Sequence, residues 1–318
     1  MSLAPSLSVV MSVFNSADTL GATMDSVLTQ EEIDFEFIVV DDGSSDGSAA
    51  ILDDYARRDE RVRVIHQDNT GLTRALMNGC ARARGKYLAR QDAGDVSLAG
   101  RLAQQCALLE SHPDVVLTSV GTRFIGSEGE HLYTIVQLGD ELQRGLEQLI
   151  VARLRGPSHH GSTMFRQAAY HAVGGYRREF RVAQDLDLWT RLVDAGRCVA
   201  IPEVLYEAKW QLGSISHLRR RDQLMAAEAI HACRQRRHRG GSEQPILDRL
   251  TASLGEIDGQ LRTPSGLSEA RFHYFLGSVL ASNNPGVARR YLKQAVRAWP
   301  WHAKAWVKLA ALVLRPGK

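Results

Sequence analysis

An α/β fold with a mostly parallel sheet flanked by helices, followed by an all-α C-terminal region, is what this sequence predicts. Three observations carry the prediction. Over residues 7–91, strand-length apolar runs alternate with stretches of helical periodicity, the pattern of βαβ units. With 318 residues and a hydrophobic content of 44%, the chain is long and apolar enough for one large core or two. From about Ser216 onwards the reading is helical throughout, with a loop at 238–245.

The elements follow in order. LSVVMSVF (7–14) is a buried strand by composition. Residues 18–30 place apolar side chains at helical spacing, with Asp18 as the expected N-cap. A second strand over 35–40 runs into Asp41 and Asp42, and SDGSAAILDDYARR opens with a cap signal and continues as helix. A third strand spans 62–66, the helix beginning at Gly71 stops at Gly85, and residues 86–91 form a fourth strand. Further strands are expected over 114–126, in EHLYTIVQ and in STMF, with a helix near 140–154 between them. A helix from Asp185 ended by Gly196, then the strand pair CVAIP and VLYEAKW, close this part.

Composition narrows the class. Four scattered cysteines, Cys80, Cys106, Cys198 and Cys233, form no C-x-x-C pair, so a reducing compartment is expected and a disulfide framework or zinc knuckle is not. The N-terminal stretch lacks a basic region ahead of its apolar run, so no signal peptide is read. No apolar run is long enough to span a bilayer. The net charge of +3 hides an asymmetry. Residues 1–216 hold 21 Lys+Arg and 29 Asp+Glu, whereas residues 217–318 hold 18 and 7. An acidic body of 1–216 and a basic helical region of 217–318 are therefore expected as two domains with different partners.

In a parallel sheet, ligands sit beyond the carboxyl ends of the strands. Phe14-Asn15 end the first strand, Asp41-Asp42 the second, and Asp92 and Asp95 the fourth. Turn chemistry alone accounts for Asp, Gly and Ser after a strand. Yet three strand ends that project an aromatic ring and four carboxylates towards one crevice call for a cation or donors between them. The expected cation is Mg²⁺ or Mn²⁺. No G-x-G-x-x-G follows the first strand and no Walker A sequence is present, which disfavours a dinucleotide or P-loop site.

SVVMSVFNSADTLGATMDSVLTQ, FEFIVVDDGSSDGS, NTGLTRALMNGCARARGKYLARQDAGD, RLAQQCALLESHPDV, HHGSTMFR, GGY and AQDLDLW occur in that order. Together they resemble glycosyltransferase family 2, the inverting enzymes of GT-A fold, over residues 7–216. The resemblance implies a Rossmann-like nucleotide-diphospho-sugar transferase fold and a set of roles. Phe14 matches the aromatic near the nucleotide base, with Asn15 after it. Asp42 matches the carboxylate that accepts from the base, and Asn69 a donor-contacting position. Asp92 opens the D-x-D motif at ribose and metal, and Asp185 matches the catalytic base. For Asp185 a helix N-cap role is the plain alternative. Asp187 is read as orienting or surface, and Trp189 as core packing before an acceptor-side platform. His160 matches a family histidine on the acceptor side, with a buried structural role as the other reading. No role is assigned to His159.

The sequence departs from that pattern. The family usually reads D-A-D-D where this chain reads D-A-G-D, so Gly94 stands where a metal ligand is expected, with Asp95 as the substitute ligand. Gln211 stands where the family carries a histidine, and Lys209 is the remaining cation for a phosphate. Met77 replaces the family's usual asparagine, and Arg74 is either a nucleotide contact or a surface arginine. The implied activity is transfer of a sugar from a nucleotide-diphosphate sugar, of the UDP class, to a hydroxyl of a glycan or lipid-linked acceptor in surface polysaccharide synthesis. A degenerate, non-catalytic binding protein is the alternative, motivated by Gly94 and Gln211. A cytoplasmic location, peripheral on the inner membrane, goes with it.

The tail resembles one tetratricopeptide repeat and the start of another, with Leu276-Gly277 and Leu309-Ala310 33 residues apart. Its Trp299, Trp301 and Trp306 suit either helix-on-helix packing, the preferred reading, or an anionic membrane surface approached with Lys304, Lys308 and Arg315. A protein partner is a further option. No nucleic-acid partner is expected, because no stacking aromatics interleave with RQRRHR.

Overall fold

The computed structural model describes residues 5–148, 154–212, 220–254 and 265–314. Four parallel strands form the heart of the sheet: β1 (Leu7–Val13), β2 (Phe35–Asp42), β3 (Val62–Gln67) and β4 (Tyr87–Asp92). Between them run α1 (Ala17–Leu28), α2 (Ser48–Arg58) and α3 (Leu72–Cys80). Then come β5 (Val96–Ser97), α4 (Arg101–Ser111), β6 (Val115–Ile125), β7 (His131–Ile135), α5 (Glu141–Leu146), β8 (Thr163–Arg166), α6 (Gln167–Ala172), α7 (Gln184–Leu192) and β9 (Arg197–Lys209). The sheet order is β3-β2-β1-β4-β8-β6-β9-β5, with β8 antiparallel to both β4 and β6.

Both faces of the parallel strands are covered, as their unbroken apolar runs require. Val9, Met11 and Val13 of β1 point into one core with Leu20, Met24 and Leu52, whereas Val10 points into the other with Leu76, Phe165 and Trp189. This is the two-residue alternation of a strand. Each such side chain removed from water contributes about 1.5–3 kcal/mol.

Several local expectations change. Ser16, not Asp18, takes the N-cap position of α1, and Asp18 lies in the first turn, where an acidic group meets the helix dipole. CVAIP and VLYEAKW form one strand, β9, that runs on through Pro202. The backbone there crowds β6: a Cβ at Gly121 would lie 2.9 Å from the Glu203 carbonyl oxygen. Of the helix expected near 140–154, Glu141–Leu146 is helical and residues 149–153 lie outside the described residues.

The remaining helices are α8 (Arg220–His238), α9 (Gln244–Leu254), α10 (Gly266–Leu280), α11 (Pro285–Ala298) and α12 (Ala303–Leu314). The chain divides into two compact units, one of residues 1–122, 134–208 and 221–259, the other of 123–133, 209–220 and 260–318. In the first, α8 and α9 are tied to the sheet-bearing part by ion pairs of Arg234 and Arg237 with Asp194 and of Glu243 with Arg177. In the second, Gly277 lets α10 and α11 approach so closely that a Cβ would lie 2.8 Å from Leu292. Trp210 packs on Phe275 there, with ring centroids 4.7 Å apart. Among the described residues no helix is long and apolar enough to cross a membrane.

Candidate active site

Register aligns the strand ends. Val13 pairs with Asp41 and Ser12 with Asp92, so the residues that follow β1, β2 and β4 emerge level with one another. Phe14 is half-buried there. Asn15 has φ 48°, a left-handed conformation that Asn tolerates. Its Oδ1 accepts the Ser45 N–H at 2.8 Å, and its own N–H donates to Ser44 Oγ at 3.0 Å. Asn15 therefore stitches the turn after β1 to the turn after β2.

The carboxylates of DDGSSD divide the labour. Asp41 accepts from His66 Nδ1 at 2.9 Å and from the Ser44 N–H at 3.1 Å. Asp46 accepts the Ala17 N–H at 3.0 Å and the Ser48 N–H at 2.9 Å, and these donors outweigh desolvation to hold its carboxyl below the usual range. Asp42 is buried. Its Oδ1 accepts from Gln67 Nε2 at 2.8 Å and the Thr70 N–H at 2.9 Å, and its Oδ2 accepts the Gly71 N–H at 2.8 Å. It thus pins the loop that carries Asn69. Asn69 Oδ1 is buried there without a hydrogen-bond partner. Arg74, on α3, is exposed.

Beneath the D-A-G-D turn lie two fully buried arginines to which the sequence reading gave no role. Arg90 donates to Asp92 Oδ1 at 2.7 Å, to the Val10 carbonyl, and to His160 Nε2 at 3.4 Å. Arg101 donates to Gln91, Ser97, Gln105 and the Arg90 carbonyl. Burial pushes the Arg101 guanidinium down to about 10, so it stays charged at neutral pH. Burial would raise the Asp92 carboxyl, but the adjacent Arg90 charge overrides it and holds that carboxyl below the usual range. Tyr206 completes the base of the site: its hydroxyl accepts the Asp92 N–H at 3.2 Å and donates to Asp95 Oδ2 at 3.0 Å.

Gly94 has φ 95°, the left-handed region that favours glycine, and its N–H donates to Thr23 Oγ1 at 3.0 Å. The conformation of the turn thus accounts for the glycine. The donor set is made up instead by His159, to which the sequence reading gave nothing. Its Nδ1 lies 3.7 Å from Asp92 Oδ2 and 3.5 Å from Asp95 Oδ2. Among the described residues these three offer ligand atoms within 4.8 Å of one another. His159 Nδ1 accepts the Gly161 N–H at 3.2 Å, which marks it as the lone-pair nitrogen of the ring. Two carboxylate oxygens and an imidazole nitrogen fit a divalent cation such as Mn²⁺.

Asp185 is not an N-cap. The cap position of α7 is Ala183, at φ 54°, and Asp185 stands in the first turn with Oδ1 accepting the Leu186 N–H at 2.8 Å. Burial raises its carboxyl, and the charge of Asp92 adds to that, against the Leu186 hydrogen bond. A partly buried carboxyl with a raised pKa, at a helix N-terminus, is equipped to take a proton from a hydroxyl. Asp187 is not at the surface. It is buried between Arg177 and Arg191, paired with Arg191 Nη2 at 2.5 Å, and so clamps the segment ahead of α7 to the helix.

His160 is buried, and Tyr176 Oη lies 2.7 Å from its Nε2. Since a guanidinium can only donate, Nε2 is the acceptor nitrogen and the ring proton sits on Nδ1. Burial and Arg90 push its pKa down to about 3, so it is neutral. Trp189 is buried, edge-on to His160, and its indole N–H has no acceptor among the described residues. Lys209 ends β9 and belongs to the second unit.

Comparison with known proteins agrees with this architecture. The family model described as glycosyl transferase family 2 matches residues 8–174. The glycosyltransferase EpsE of Bacillus subtilis (strain 168) is 32% identical over 217 residues, covering 66% of this chain and 74% of that protein. The amylovoran biosynthesis glycosyltransferase AmsE of Erwinia amylovora is 28% identical, covering 64% and 75%. The crystal structure of S. aureus TarS 1-349 in complex with UDP superposes with a TM-score of 0.55 at 15% identity, over 96% of this chain and 89% of that one. The mannosyltransferase PcManGT from Pyrobaculum calidifontis, in complex with GDP-Man and Mn²⁺, gives 0.53 at 17%, over 98% and 86%. With a family model covering more than half its length and relatives over most of its body, the chain belongs to glycosyl transferase family 2 and is a transferase of GT-A-like fold.

Proposed function

We propose that the chain transfers a sugar from a nucleotide-diphosphate sugar, of the UDP class, to a hydroxyl of a glycan or lipid-linked acceptor, with inversion at the anomeric carbon. The observation that carries this reading is the raised carboxyl of Asp185, held in the field of Asp92 at the carboxyl-end face of the sheet. Asp185 takes the proton of the attacking hydroxyl. Phe14 and Asn69 face the base and donor, and Asp42 holds the Asn69 loop while offering its remaining lone pairs to the base. Asp92, Asp95 and His159 would hold the divalent cation, which when bound stabilises charge on the diphosphate. Arg74 serves as a point charge for phosphate, and His160 with Trp189 shapes the acceptor side. UDP bound to TarS and the naming of AmsE for amylovoran biosynthesis support the donor class and the glycan setting. The four buried free cysteines accord with a cytoplasmic location at the inner face of the membrane.

The test is Asp185→Asn, near-isosteric and unable to accept the proton. UDP binding by calorimetry is retained and sugar transfer falls by about 10²–10⁴-fold. In the parent enzyme the acid limb of kcat/KM lies above the ordinary Asp range, because the base form is gained only as pH rises through a raised pKa. Parent-like turnover in the variant would end the assignment. A donor screen over UDP, GDP, dTDP and CMP sugars tests the nucleotide.

A further inference from the structure

Helix α12 has an apolar face that is exposed among the described residues. α12 buries Ala305 and Leu312 on its inner side. Its other side exposes Val307 at 71% and Leu314 at 80%, with Trp306 and Val313 beside them. Trp301, in the turn before the helix, is 85% exposed. Trp301 is thus largely outside helix packing, whereas Trp299, at 39% exposed, and Trp306, at 51%, are partly packed. An exposed apolar patch of this kind marks a docking surface.

Charge identifies what docks. From residue 270 to residue 318 there is no Asp or Glu, and there are nine Lys and Arg. Arg290 is taken up by Glu128, and Arg289 by the Leu312 carbonyl. Lys304 and Lys308 instead line a shallow groove between α10 and α12 with Tyr274, Ala303, Val307 and Ala311, so cations stand at the edge of the apolar face. Trp306 Nε1 already donates to the Pro300 carbonyl at 2.8 Å, which leaves its ring as apolar surface with its polar edge satisfied. Aromatic rings, aliphatic side chains and lysines without acidic neighbours are the composition of a helix that lies in a membrane interface. A second copy of the chain fits less well, since face-to-face α12 helices would bring Lys304 and Lys308 of both copies together.

We propose that the face formed by Trp301, Trp306, Val307 and Leu314, rimmed by Lys304 and Lys308, docks on the surface of an anionic phospholipid bilayer. This deepens the reading of a lipid-side acceptor given above, but vesicle binding is measured without donor or acceptor.

The experiment is co-sedimentation of the full chain with vesicles of phosphatidylcholine alone or with about one-third phosphatidylglycerol. Each lysine near such a surface contributes about fivefold to partitioning, so Lys304→Gln with Lys308→Gln lowers binding to anionic vesicles by about 20- to 30-fold. Added salt lowers it in the parent chain as well. Trp301→Ala lowers binding several-fold but leaves the salt dependence, and removes part of the blue shift of tryptophan emission on vesicles. Circular dichroism and UDP calorimetry on the same samples show that the variants fold and test the enzymatic reading separately. Three results would overturn the proposal: no binding of the parent chain to anionic vesicles at low salt, equal binding by parent and double variant, or a concentration-dependent dimer that produces the blue shift without lipid.

Discussion

Replacing Asp42 with Asn tests whether this carboxylate is first a structural acceptor. Its two oxygens receive Gln67 Nε2, the Thr70 N–H and hydroxyl, and the Gly71 N–H. Asparagine offers one carbonyl oxygen and, on the other side, an NH₂ group. The lowest-cost orientation keeps the three donors on Oδ1 and turns the NH₂ towards the Gly71 N–H, two donors facing each other. Leaving one buried donor unpaired costs about 1–3 kcal/mol. The loss is local, so hydrogen exchange of the Gly71 amide reads it most directly, as an acceleration of about 5- to 150-fold. The global unfolding midpoint in urea falls in the same variant, and UDP affinity falls with the loop that holds Asn69. Unchanged Gly71 protection would refute the reasoning. If UDP affinity fell while Gly71 exchange stayed the same, the carboxylate would be a recognition group and not a clasp.

Gly94→Asp, which restores the family's carboxylate, destabilises the fold by about 1–2 kcal/mol because φ is 95° there; Mn²⁺ titration shows no tighter binding, and a gain in affinity without loss of stability would count against the strained turn. Asp187→Asn removes the counter-charge of two arginines and costs about 3–5 kcal/mol in denaturant unfolding; a cost under about 1 kcal/mol would mean that the clamp is idle. His66, hydrogen-bonded to Asp41 and Asp53, has a raised pKa. The stability it adds is therefore fully present below its unfolded pKa and lost as pH rises through the raised folded value. The effect is well under 1 kcal/mol at this exposed site, so the pH dependence of stability in His66→Gln differs from the parent only slightly and only across neutral pH.

The parallel strands and the acids at their ends were legible because both are local: an apolar run announces a strand, and its next residue is the strand end. What stayed hidden depends on partners far away in sequence. Arg90 looked like one polar residue in a strand, but its burial rests on the Val10 carbonyl and on His160. His159 joins Asp92 and Asp95 only because β8 comes back antiparallel beside β4. Asp187 could be seen to share a helix with Arg191, four residues on; that Arg177 closes on it from outside the helix could not. VAIPEVLY reads as two strands parted after Pro202, yet β9 continues, with Pro202 and Glu203 exposed where they pass Gly121. The tryptophans of the tail gave no sign of direction, since periodicity says which residues share a face and not whether that face has a neighbour.

Arg90 has a thermodynamic consequence of its own. A diffusible ion obeys mass action: dilution, chelators and competing nucleotides all draw it away. The guanidinium of Arg90 is covalently part of the sheet and fully buried, so its charge beneath Asp92 is present at constant occupancy whatever the medium holds. With the proposed cation bound, one share of the charge balance at this corner would belong to the chain and another to the solution. A chelator can reach only the second, so removing cations is expected to switch off the chemistry of the turn without unfolding the turn itself.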